Sequence, residues 1–321
     1  LVQIEDPGEN GFPVLIRFSA VELPQTLAWI GESQDELSRL LGDCGAILFR
    51  GLAVADAKDF DAVVATFPWP NFPYEKSLSN AVRISKTDRV FTANEAPHDV
   101  EIFLHHEMAQ TPIYPNRIFF CCLDAAASGG ETPVCRSDVL LEELRKAYPD
   151  FVHDCQSKGL KYSNVMPGAD DPHSGMGRSW QSTLSVGTKA GAEGRLRELG
   201  YTWEWLEHDC LRATTPVLPA VRQLANGRTV FFNQLIAVWK GWKDSRNDPS
   251  KSIRHGDDTP LDANAMQCAV ELAYRHTHDL AWQPGDIALV DNLMVMHGRR
   301  PFTGTRIVLA SLALPETHLV N

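Results

Sequence analysis

The sequence predicts an α+β fold with a mainly β core, an antiparallel barrel or sandwich decorated with helices. Three observations carry this expectation. Helical spacing dominates the front of the chain, whereas short apolar runs bounded by Gly, Pro or Asp dominate the middle and the end. The strict β-α-β alternation that a doubly wound parallel sheet requires is missing. A chain of 321 residues, 44% hydrophobic and 22% charged, has the composition and length to bury a large core.

The elements follow in order. Leu27, Ile30, Leu37, Leu40 and Leu41 fall near helical spacing and Gly42 lies just beyond, so 24–41 is expected to be helical. Residues 46–50 form an apolar run between Gly45 and Gly51, a buried strand. Asp56 is placed to cap a helix carrying Phe60, Val63, Val64 and Phe67, stopped by Pro68-Trp69-Pro70. Residues 80–135 read as strands and loops, with 118–123 the densest apolar strand, Ser128-Gly129-Gly130 a turn and 131–134 the start of the next strand. Ser137 or Asp138 caps a helix over 139–148, closed by Pro149. Residues 163–181, rich in Gly, Pro, Asp and Ser, read as a long loop of the kind that serves as a lid. Residues 229–232 form a strand, 262–275 a helix and Trp282-Gln-Pro-Gly-Asp286 a type II turn. Strands at 287–290, 294–297 and 307–312 follow. No repeat, low-complexity tract or charge block divides the chain, so 1–321 is expected to form one domain.

Lys plus Arg number 30 and Asp plus Glu 41, a formal net charge of −11. That balance argues against nucleic acid or an anionic membrane as the partner, and leaves a small anionic ligand open. No apolar run approaches the roughly 20 residues of a membrane span. The N-terminal residues lack the character of a secretory leader, so a cytoplasmic protein acting on a small molecule is expected. The start at Leu1 leaves a removed transit peptide open. Seven cysteines at irregular spacing, none in a Cys-x-x-Cys pair, read as reduced thiols, not as a disulfide frame or a zinc site.

The segment Phe103-Leu-His105-His106-Glu107-Met108 is the most informative. On a strand, residues two apart share a face, so His105 and Glu107 would point together and His106 away. Such a pair can grip a divalent metal. His297, at the end of an apolar strand and followed by Gly298-Arg299-Arg300, is the best third ligand. Two histidines and one carboxylate leave three positions open on an octahedral ion, the arrangement that suits non-heme iron(II) with a co-substrate and O₂. From the spacing alone, a hydrogen-bonded core histidine beside a surface glutamate remains an alternative. His276-x-His278 repeats the spacing at the end of the expected 262–275 helix, where residues two apart do not share a face.

Taken as an ordered set, His105-x-Glu107, Ser128-Gly-Gly-Glu-Thr132-Pro, Trp282-x-Pro-Gly-Asp286, and His297 with Arg306 resemble the TauD/TfdA family of Fe(II)/2-oxoglutarate-dependent oxygenases. Glu107 in place of Asp is similar to the clavaminate synthase-like branch, as are Phe91–Glu95, His105–Gln110, Gly177–Thr183 and Arg299–Phe302. The resemblance implies a double-stranded β-helix (jelly roll). It implies His105, Glu107 and His297 as both catalytic centre and iron ligands. It further implies Thr132 and Arg306 as the groups that bind the distal carboxylate of 2-oxoglutarate, with Arg299 as the alternative to Arg306. The implied reaction uses iron(II), 2-oxoglutarate and O₂ and hydroxylates an unactivated C–H bond of a small polar, amino-acid-like substrate, releasing succinate and CO₂. Halogenases of the wider group lack the carboxylate ligand that Glu107 supplies, so halogenation is not expected.

Asn94, Arg178, Trp180, Gln181, Asn233 and Trp239 are the candidate substrate contacts, from their places near the metal segment, the long loop and the 229–232 strand. Each has a plain structural role as its alternative. Two other classes compete with the oxygenase reading: a cupin-like metal enzyme that does not use 2-oxoglutarate, and a non-catalytic binding protein on the same scaffold. Thr132 and Arg306 weigh against the first and the complete triad against the second.

Overall fold

A computed structural model describes residues 2–5, 12–19, 21–74, 77–79 and 81–317. Leu1, Asp6 and residue 80, which the expectations above include, lie outside the described residues. The core is a mixed α/β arrangement rich in sheet. One seven-stranded sheet runs in the order Val2–Glu5, Val14–Phe18, Ala46–Arg50, Ile287–Asp291, Ile113–Asp124, Ile307–Thr317, Phe91–Thr92. A four-stranded sheet runs Thr277–Leu280, Thr132–Arg136, Val295–Arg299, Ile102–His105. Within these two sheets every pairing is antiparallel except Val14–Phe18 against Ala46–Arg50.

The period of two along each strand sorts side chains into three apolar layers. Ile118, Phe120 and Cys122 join Val134, Val290, Val295, Ala310 and Leu312 between the two sheets. Phe119, Cys121, Leu289 and Leu309 face the other way, onto Ile30, Leu37, Leu41, Phe60 and Val63 of the front helices. Leu104, Cys135 and Met296 cover the far side of the smaller sheet, beneath Leu140, Leu144, Leu235, Met266 and Ala269. Each sheet is thus covered on both faces, which places the neighbours of Leu104 and Met296, namely His105 and His297, toward the space between the sheets.

Local chemistry explains most boundaries. Asp56 accepts from Lys58 N and Asp59 N, and Asp262 from Asn264 N and Ala265 N, so the helices Ala57–Ala65 and Ala263–Arg275 begin where expected. Asp286 N donates to Gln283 O at 3.0 Å with Gly285 at φ 87°, the left-handed position that a type II turn demands.

Several expectations require correction. The front helix is two, Leu23–Glu32 and Gln34–Cys44, parted at Ser33. The Gln34 amide takes the Ile30 carbonyl at 2.9 Å, a side-chain bond that competes with the helix ladder. The helix expected from 139 begins at Ser137 without a side-chain cap, because the Asp138 carboxylate pairs with Arg136 and Arg228. Pro149 closes it and also opens a second helix, Pro149–Lys158, whose first position suits a residue without an N–H. The expected 163–181 loop shrinks to 167–179, since Leu160–Met166 is a strand and Trp180–Leu184 a helix. The 229–232 strand is only Thr229–Val230. His278 lies exposed on the strand Thr277–Leu280, not on the helix.

All seven cysteines are free. Among the described residues, no helix is long and apolar enough to cross a membrane.

Candidate metal centre

Strand pairing builds the first half of the centre. His297 and His105 are register partners on adjacent antiparallel strands, and their rings lie 4.3 Å apart. Glu107 arrives differently from the expectation. The strand ends at His105, and Glu107 sits in the turn that follows, where Met108 takes a positive φ of 59°. Asn292 fixes that turn. Its Oδ1 accepts from Glu107 N at 2.7 Å, and its Nδ2 donates to Glu107 O at 2.9 Å and Pro115 O at 2.7 Å. His106 points away, buried against the Phe232 ring with Nδ1 2.5 Å from Asn292 O. The result is a cluster in which one ligand atom from each of His105, Glu107 and His297 lies within 4.8 Å of the others.

The donor set fits a divalent transition metal. His105 Nδ1 must donate to Phe103 O, at 2.8 Å, because a carbonyl can only accept. That fixes the tautomer and leaves Nε2 with a free lone pair. Burial, and next the charge of His297, pull the His105 pKa down to about 4, so the imidazole is neutral at physiological pH. Burial pushes the Glu107 carboxyl up, but Arg83, His297 and His105 outweigh it and hold it below the usual carboxylate range. The neutral His105 ring, the His297 ring and the Glu107 carboxylate therefore converge on one point.

A second group of side chains adjoins the cluster. Thr132, Arg306, His105, His297 and Asn94 line one small cavity of about 40 Å³. Thr132 Oγ1 accepts from Trp282 Nε1 at 3.0 Å and from Arg306 Nη2 at 3.4 Å. With both lone pairs occupied, its proton remains to be donated to a ligand. Arg306 Nε is held by Gly130 O at 2.8 Å. Gly130, at φ 75°, leaves the room: a Cβ there would stand 3.0 Å from Arg306 Cδ. Burial and then Arg299 lower the Arg306 pKa to about 10, so it stays a cation at neutral pH. Arg299 lines the same cavity, but its terminal nitrogens donate to the carbonyls of Asn94, Ala96, Pro97 and Val100. It holds the loop that precedes the metal strand.

A larger cavity, about 120 Å³, adjoins His105 and Glu107, lined by Arg83, Asn94, Gln110, Gln234, Met176 and Trp242 among others. Of the six expected substrate contacts, only Asn94 reaches it. Arg178 is buried and bonds Ser77, Ser79 and Ser182, and Trp180 Nε1 donates to Asp209 O. Asn233 ties Ala220 O to Leu235 N. Gln181 and Trp239 are absent from the lining, and Trp242, three residues on, takes the wall. Two roomier hollows of about 600 Å³ lie elsewhere and hold none of the cluster's histidines. Sequence reasoning missed Asn292 and Arg83; Trp282 was visible only as part of a turn motif.

Comparison with known proteins agrees with this geometry. Residues 10–312 match the family model described as taurine catabolism dioxygenase TauD, TfdA family. The chain belongs to the TauD/TfdA family of dioxygenases. It is 40% identical over 298 residues to a clavaminate synthase-like protein of Arabidopsis thaliana, covering 92% of this chain and 90% of that one. It is 26% identical over 300 residues to the dapdiamide synthesis protein DdaC of Enterobacter agglomerans, covering 88% and 86%. Among solved structures, PvcB of Pseudomonas aeruginosa superposes with a TM-score of 0.54 at 14% identity, covering 98% of this chain and 91% of that one, a likeness of fold alone.

Proposed function

We propose that this TauD/TfdA family member is an iron(II)- and 2-oxoglutarate-dependent oxygenase that hydroxylates an unactivated C–H bond of a small polar, amino-acid-like molecule. The observation that carries the reading is the pairing of two sites: the His105–Glu107–His297 cluster, and beside it Thr132 with Arg306. A cupin-like metal enzyme that does not use 2-oxoglutarate would have no use for a buried hydroxyl and guanidinium aimed together. PvcB, whose fold the chain shares, is described as an Fe, α-ketoglutarate-dependent oxygenase.

His105, Glu107 and His297 would hold the metal through two imidazole nitrogens and a carboxylate oxygen. Iron(II) bound there, with 2-oxoglutarate and O₂, supplies the oxidising chemistry, and succinate and CO₂ leave. Arg306 pairs with the distal carboxylate of 2-oxoglutarate, and Thr132, oriented by Trp282, donates a further hydrogen bond. Asn292 keeps Glu107 in its turn. The 120 Å³ cavity places a small substrate against the cluster. Residues 167–179 contribute Gly175 and Met176 to its wall and act as the lid. We read 1–321 as one catalytic unit of jelly-roll type, because the cluster draws on residues 192 positions apart (297 − 105).

Succinate formation and O₂ uptake with iron(II), ascorbate and 2-oxoglutarate, across a panel of amino acids, test the reading. Stoichiometric succinate is expected, and Arg306→Gln should raise the 2-oxoglutarate concentration needed while iron binding persists. A turnover indifferent to 2-oxoglutarate would sink the proposal.

A further inference from the structure

Arg83 is the one cation of the larger cavity whose bonding is incomplete among the described residues. Its side chain is 6% exposed, and Nη2 donates to Glu107 Oε2 at 2.9 Å. Among the described residues, the buried Nε and Nη1 have no hydrogen-bond partner. The guanidinium lies over the rings of Tyr74, at 4.9 Å, and Phe91, at 5.3 Å, which hold its plane in place. It lines both the larger cavity and the smaller one.

Charge sharpens the point. The inference rests on the metal and 2-oxoglutarate reading above. Two positive charges on the metal and one on Arg306 balance one negative charge on Glu107 and two on 2-oxoglutarate. Arg299, which also lines the smaller cavity, has Glu95 and Asp99 as its nearby carboxylates, so Arg83 is the odd cation. The other carboxylate in the lining, Glu101, is engaged by Tyr274 and Arg300. A buried charge without a partner is strongly unfavourable, and a guanidinium fork with open N–H groups matches the two oxygens of a carboxylate.

We propose that Arg83 is the specificity-determining anchor of the substrate cavity, and that the substrate carries a carboxylate which docks on it, placing the rest of the molecule beside the metal. Arg83 keeps its bond to Glu107 and presents Nε and Nη1 to that group. Neutral and cationic molecules of the same size lack the group that would complete its bonding.

The test is calorimetric and needs no turnover. The full chain is loaded with Mn(II) and N-oxalylglycine, a non-reacting analogue of 2-oxoglutarate, and titrated with acetate and with acetamide at constant ionic strength. Acetate is expected to bind the wild type at least about tenfold tighter than acetamide, the lower end of what a charged hydrogen bond contributes. R83M should abolish that preference while still binding Mn(II) and N-oxalylglycine, and R83K should keep part of it. The proposal is overturned if the wild type shows no preference for acetate, or if R83M retains it, which would put acetate on the metal or elsewhere. If R83M does not fold, the wild type and R83K decide in the same way. A wild type that binds neither Mn(II) nor N-oxalylglycine would overturn the metal reading itself, and this inference with it.

Discussion

The cluster depends on residues that are not ligands, and Asn292 shows how. It is fully buried and satisfies both backbone groups of Glu107 with one amide. Asn292→Ala would orphan these two groups and the Pro115 carbonyl, each orphan costing about 1–3 kcal/mol. Chemical denaturation should show a loss on the order of 3 kcal/mol, and metal titration a drop of about 10- to 100-fold in affinity, the range for removing a group that orients a ligand. The metal ligands themselves were legible in the sequence because residue type and spacing carry metal chemistry. The reason given for Glu107 was not: it reaches the centre through a turn, not along a strand. Asn292 and Arg83 were illegible because their roles arise from tertiary partners 185 and 24 positions away. Arg178, Trp180 and Asn233 carry the residue types of a binding site, yet internal hydrogen bonds engage them.

Elements with a local chemical signal appeared where the sequence puts them. Asp56, Asp262 and the Pro284-Gly285 turn each carry their own hydrogen-bond logic. Elements whose bounds depend on neighbours shifted. Leu160–Met166 is a strand because Leu211–Thr214 and Ile253–His255 flank and pair with it, which its polar composition does not announce. Ser33 likewise breaks a helix whose apolar spacing continues through it. The cap argument is testable in isolation. Asp262→Ala should destabilise the protein by about 1 kcal/mol through the Ala263–Arg275 helix alone, with metal affinity unchanged in the same titration. A loss of metal binding there would mean that this helix couples to the centre.

At the scale of the molecule, acid should act through the buried imidazoles. Burial pulls His105 to about 4 and His106 to about 3, against an ordinary value of 6.5. The unfolded chain takes up these protons first, so the stability they contribute is present above about 6.5 and is lost as pH falls toward 4 and below. Denaturant midpoints of the metal-free protein should therefore fall across that window, and a flat profile would contradict the assigned burial. The net charge of −11 says little about the centre, where Arg83 and Arg306 set the local field. The central claim is that the cluster and the Thr132–Arg306 pair hold iron(II) and 2-oxoglutarate together. Anaerobic addition of both to the protein should produce a weak visible charge-transfer band that is absent in His105→Ala. A wild type without the band, or a His105→Ala protein that keeps it, would contradict the account.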